Sequence, residues 1–136
     1  MQYIVAYLVT ALAFGAMDAV WLNTMFTRLY KPEIGELLGD LRWAPALIFY
    51  LLYLVGMQIF AVAPALKSGQ WTTALLYGAL LGFFCYATYD LTNHATMKVW
   101  SVKVTVLDII WGTFATGTAS AIAAWVTLRF FPATGG

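Results

Sequence analysis

Charge is scarce in this chain. Only 10% of its residues are Asp, Glu, Lys or Arg, against about 25% in an ordinary soluble domain. With 62% hydrophobic residues, there is too little polar surface to cover a water-facing globule. The composition therefore predicts an integral membrane protein. A formal net charge of +1 gives no electrostatic basis for binding nucleic acid. Cysteine occurs once, as Cys85 inside an apolar run, so no intramolecular disulfide and no cysteine-paired metal site can form. Histidine also occurs once, as His94, too few for a histidine-built zinc or di-iron site. Ser68, Ser101 and Ser120 have no His–acid partners at a readable spacing, and no phosphate-cradling glycine loop is present. No Lys or Arg precedes the first apolar run, which continues past Asp18 to Phe26, so that run is expected to be a retained span rather than a signal peptide.

What is present is four apolar segments of bilayer length, about 20 residues each. They are expected at about 3–26, 43–62, 71–91 and 104–128. Lipid offers backbone groups no partner, so these segments must be helical, and the absence of period-two alternation argues against a barrel. Pro45 suits the first turn of the second span, and Pro64 is expected to close it. Residues 63–70 then form a short turn between antiparallel neighbours. In the first connection Ile34, Leu37, Leu38 and Leu41 fall at helical spacing, with Glu33, Glu36 and Asp40 on the other side. That pattern predicts a short amphipathic interfacial helix docked across the end of the bundle. The fold class is thus all-α, an integral membrane four-helix bundle in one domain.

Basic residues set the orientation. Arg28, Lys31, Arg42, Lys98 and Lys103 fall in the first and third connections, and only Lys67 and Arg129 on the opposite side. This predicts both termini outside the cytoplasm. It also places three intramembrane acids, Asp18, Asp90 and Asp108, toward the cytoplasmic half, each from a different span. A carboxylate at membrane depth costs roughly 2.5–3.5 kcal/mol on insertion scales, which marks such residues as functional or as firmly paired. Asn23, Thr92, Asn93 and His94 share their level, His94 in a loop, and Arg28, Lys98 and Lys103 are near enough in sequence to serve as countercharges. Asp18 with Trp21, and Asp108 with Trp111, share a helix face at spacing three. Gly78, Gly82, Tyr86 and Asp90 repeat at spacing four, as do Gly112, Thr116, Ser120 and Ala124. Such small faces let helix backbones approach closely, which would turn Asp90 and Asp108 inward.

The stretch Tyr86-Ala-Thr-Tyr-Asp-Leu-Thr-Asn-His-Ala-Thr-Met, with Trp100, Asp108-Ile-Ile-Trp-Gly and Asp18-Ala-Val-Trp-Leu, resembles the bacterial membrane-protein family called domain of unknown function 2177. Phe49-Tyr-Leu-Leu-Tyr-Leu-Val-Gly and Phe60-Ala-Val-Ala-Pro fit the same pattern. The resemblance implies a small bacterial inner-membrane protein of four spans and carries no activity with it. It groups Asp18, Trp21, Tyr89, Asp90, Asn93, Trp100, Asp108, Trp111 and Gly112 as one motif set.

These residues favour binding or transport of a small cationic or amphipathic molecule in a carboxylate-lined cavity near the cytoplasmic side. The candidate ligand-binding residues are Asp18, Trp21, Tyr89, Asp90, Asn93, Asp108 and Trp111. Two other classes stay open: a membrane-embedded enzyme acting on a lipid or quinone, with Asp90 or Asp108 as the acid–base group, and an accessory subunit of a larger membrane complex. The expected partners are the lipid bilayer, a small-molecule or lipid-like ligand and, in an oligomer, further copies of the chain. No cofactor and no metal are named by the sequence.

Overall fold

A computed structural model describes residues 1–39 and 42–132. Among these residues the chain is helical throughout its regular structure, without strands. Four helical segments are long and apolar enough to cross a membrane: Gln2–Leu37, Trp43–Ser68, Trp71–Thr96 and Val102–Phe130.

The first two segments share a device. Helix α1 (Gln2–Met25) does not stop at the expected boundary but widens into a π turn over Phe26–Tyr30. It closes again as α2 (Lys31–Ile34) and ends in a 3₁₀ turn over Gly35–Leu37. Helix α3 (Trp43–Met57) widens in the same way over Gln58–Val62 and resumes as α4 (Ala63–Ser68). A proline follows each wide turn by two residues, Pro32 in one case and Pro64 in the other. Proline cannot donate to the carbonyl one turn back, and its ring crowds that carbonyl. Widening the preceding turn lets the helix pass through both prolines instead of ending there. Pro64 therefore does not close the second span, as the sequence led us to expect. The stop is Gly69, whose φ of 75° is left-handed and cheap only for glycine.

The interfacial helix expected in the first connection is likewise a continuation of the first span. Its docking across the bundle end is present. Leu29 and Ile34 bury against Val104, and the Ser101 hydroxyl donates to Glu33 Oε1 at 2.6 Å. Ser101 also caps helix α6 (Val102–Phe130), accepting from the Val104 N–H at 3.2 Å. Asp40 and Leu41, part of that expected helix, lie outside the described residues. Helix α5 (Trp71–Thr96) runs past its expected end at Leu91. Thr92, Asn93 and His94 are thus helical, and the third connection shortens to 97–101.

Helix α6 is the axis of the bundle, buried along most of its length between α1 and α5. The α5–α6 contact is set by the small residues. Gly78 lies against Ser120 and the Thr116 carbonyl, Gly82 against Gly112 and Thr116, and the Tyr86 ring against Gly112. A side chain at Gly82 or Gly112 would occupy space already taken by backbone or ring atoms. These glycines therefore set how closely the two helices approach. The second span packs on the first through apolar clusters around Phe14 and Ala6 and through polar contacts. Tyr50 donates to the Ala11 carbonyl at 2.8 Å, its hydroxyl seated over Gly15. Gln58, in the second wide turn, donates to Thr10 at 2.7 Å. At the opposite end of the bundle from Glu33, Gln2 donates to the Phe131 carbonyl at 2.9 Å, holding the two terminal helices together.

Candidate functional site

The register of α5 against α6 fixes the first part of the site. Continuing the line of facing residues past Tyr86 and Gly112 by one turn on each helix brings Asp90 beside Asp108. Both are buried, Asp90 completely. Among the described residues, neither oxygen of Asp90 has a hydrogen-bond donor other than the neighbouring acid. The group in reach is the Asp108 carboxyl, an acceptor as well, so the two can hydrogen-bond only through a proton that one of them carries.

Asp108 has a second partner. Tyr30 donates its hydroxyl to Asp108 Oδ1, and the Trp21 indole N–H donates to the Tyr30 oxygen at 2.8 Å. A chain of polar groups therefore runs from Trp21 on α1, through Tyr30, to Asp108 on α6 and Asp90 on α5. The wide turn makes this possible. In an unbroken α-helix Tyr30 would point away from the Trp21 face, about two and a half turns on. The extra residue of the Phe26–Tyr30 turn rotates its side chain back toward α6. Single-turn π segments of this kind are often found at functional sites.

Beside this chain lies a partly open cavity of about 420 Å³ lined by residues from all four spans. Trp21 and Trp111 stack on one wall, ring centroids 4.6 Å apart and planes within 8° of parallel. Phe49 and Tyr53 from α3 and Tyr86 and Tyr89 from α5 form the other walls. Asp18 and Asp108 supply the carboxyls that face the space, and Tyr30 a hydroxyl. Cys85 also reaches the lining as a free thiol. The Trp111 indole nitrogen is buried, and the acceptor beside it is the Asp18 carboxyl. Tyr89 stands at the rim, 60% exposed, edge-on to Trp100 at 6.3 Å.

Among the described residues, no lysine, arginine or histidine pairs with Asp18, Asp90 or Asp108. The cations proposed from sequence as countercharges, Arg28, Lys98 and Lys103, are all exposed. Their long, strongly hydrated side chains stay on the outer surface while the carboxyls turn inward. His94 is exposed in the last turn of α5, not in a loop, and Asn23 is exposed on α1. Of the candidate ligand-binding residues, Asp18, Trp21, Tyr89, Asp108 and Trp111 line the cavity. Asp90 sits behind Asp108, and Asn93 one turn further toward the end of α5; neither reaches the lining. Tyr30 was not singled out from sequence, because its approach depends on a turn that spacing does not reveal. Among the described residues no group of three or more His, Cys, Asp or Glu side chains is arranged to hold a metal ion.

Residues 3–125 match the family model described as Predicted membrane protein (DUF2177). No curated protein and no solved structure matches the chain.

Proposed function

The chain belongs to the Predicted membrane protein (DUF2177) family and carries four apolar helices, as a multi-pass membrane protein does; from that premise we propose that it binds a small organic cation with an apolar body in the cavity between Asp18 and Asp108. One observation carries this reading: two carboxyls face an aromatic-walled space, and among the described residues no cation pairs with them. A buried carboxylate seeks a positive partner, and none of the described side chains supplies one. The aromatic lining offers cation–π attraction, about 0.5–2 kcal/mol for each ring whose face a ligand meets, the stacked Trp21–Trp111 pair counting as one such face. The lining is otherwise apolar, which suits a hydrocarbon body around a single charge. The scattered carboxyls suit a bulky ammonium better than a bare metal ion, which would demand several oxygens at one point.

Binding of this kind is the first step of transport. The five-to-two excess of basic residues supports a cavity near the cytoplasmic face and termini on the other side. The family resemblance supports a bacterial inner membrane. A second reading, acid–base chemistry on a lipid or quinone, draws on the Tyr30–Asp108 hydrogen bond beside an apolar space. Turnover of a lipid extract by purified protein without any gradient would favour it.

The stacked tryptophans make binding observable. Titration of detergent-solubilised protein with benzyltrimethylammonium should change tryptophan fluorescence saturably, and the response should be lost in Asp108→Asn with helical content retained. No saturable change in the wild type would overturn the proposal.

A further inference from the structure

Among the described residues Asp90 and Asp108, both buried, and the half-buried Asp18 have no countercharge, yet they lie where an uncompensated charge is costly. An empty site is therefore held near neutrality by protons. A cation entering the cavity brings a charge of its own, and a neutral site must then release a proton to receive it. We propose, building on the cation-binding reading above, that the site exchanges one proton for each cation, with Asp108 as the exchanging carboxyl and Asp90 as a positioning acid behind it.

The geometry separates the two roles. Asp108 faces the cavity and can meet a ligand; Asp90 is completely buried, off the lining, and in contact with Asp108. In the exchange the O–H bond of Asp108 breaks, its proton leaves to water, and the carboxylate pairs with the cation. Two donors then hold that carboxylate. Tyr30 gives its hydroxyl, itself receiving the Trp21 N–H, and Asp90 gives the proton that it keeps. This accounts for an acid with both oxygens otherwise unsatisfied: as a neutral carboxylic acid it donates to Asp108. Asp18 has a poorer set of donors: the Trp111 indole N–H is the one donor beside it, where Asp108 has Tyr30 and Asp90. The titratable groups that share the cavity with Asp108 are Asp18 from α1, Tyr30 from the wide turn, Tyr53 from α3, and Cys85, Tyr86 and Tyr89 from α5, with Asp90 behind it. All are carboxylic acids, phenols or a thiol, so none can substitute for the cation.

Benzyltrimethylammonium tests the exchange, because a quaternary ammonium has no proton of its own to lose. Calorimetric titrations in buffers of different ionisation enthalpy count the protons released per bound cation. Wild type should release about one, and its affinity should rise up to about tenfold per pH unit while that proton is being displaced. Asp90→Asn keeps an N–H donor toward Asp108 and should preserve this pH profile. Asp90→Val removes the donor and should move the profile to higher pH. Binding with no proton release and no pH dependence would overturn the exchange while leaving the cation site standing. Absence of binding at every pH would overturn the cation site, and the exchange with it. Identical profiles for both Asp90 variants would overturn the positioning role of Asp90. If Asp90→Val does not fold, a wild-type profile retained in Asp90→Asn supports the role, and one shifted in Asp90→Asn contradicts it.

Discussion

Tyr30 lies nine residues beyond Trp21, yet its hydroxyl accepts the Trp21 indole N–H at 2.8 Å. A regular helix would hold the two on opposite faces. The π turn that reunites them also aims Tyr30 at Asp108, so one local irregularity joins the first span to the buried acid of the last.

Tyr30→Phe keeps the ring and removes the link. It leaves the Trp21 N–H without an acceptor and Asp108 without one of its donors. A loss of about 1–3 kcal/mol is expected, the usual cost of stranding buried polar groups. Thermal melting in detergent should show a clear fall. An unchanged melting temperature would mean that water replaces the hydroxyl at no cost.

The α5–α6 contact predicts a contrast between glycines. A Cβ at Gly112 would run into the Tyr86 ring, and one at Gly82 into the Gly112 backbone and Thr116. Gly56 has open space around the same position. Gly82→Ala and Gly112→Ala should each lower stability by about 1–3 kcal/mol through overpacking, whereas Gly56→Ala should be neutral or slightly stabilising. Equal melting temperatures across the three variants would contradict the register described here.

Asp18 has no cation partner, so Asp18→Asn strands no buried positive charge. The variant should melt at or above the wild-type temperature, because a half-buried acid at membrane depth is gone. Its affinity for benzyltrimethylammonium should fall by roughly tenfold, equivalent to about 1.4 kcal/mol. A large fall in melting temperature would instead make Asp18 part of the scaffold.

The orientation is tested by a reporter fused after Gly136. A reporter active only outside the cytoplasm is expected at this position. Activity in the cytoplasm would invert the topology and move the acid cluster to the outer half.

Much of the fold was legible because hydropathy and spacing are direct consequences of lipid contact and helix geometry. The four spans follow from hydropathy. The glycine faces follow from spacing four, since Gly78, Gly82, Tyr86 and Asp90 can share a partner only along one side of a helix. The helices run on past Pro64 and Leu91, where hydropathy and proline placement would end them. Pro64 is tolerated by a wide turn whose formation depends on packing, and the polar end of α5 stays helical to Thr96 without an apolar signal. At the site, the tryptophans at spacing three from Asp18 and Asp108 pointed to one wall of the cavity. The two sides of α5 were not separable from spacing, so Asp90 and Asn93 were grouped with residues that line the space. Sequence proximity also suggested Arg28, Lys98 and Lys103 as countercharges, but nearness along a chain says nothing about which way a long polar side chain turns at a membrane surface.

The central claim is that charge, not shape alone, selects what enters the cavity. The direct measurement compares wild-type binding of benzyltrimethylammonium with that of its neutral isostere neopentylbenzene, by calorimetry in the same detergent at the same pH. The account predicts that the cation binds saturably at one site and the isostere at least about tenfold more weakly, a difference of about 1.4 kcal/mol. Equal affinities, or tighter binding of the neutral compound, would show that Asp18 and Asp108 do not act as countercharges and would contradict the account.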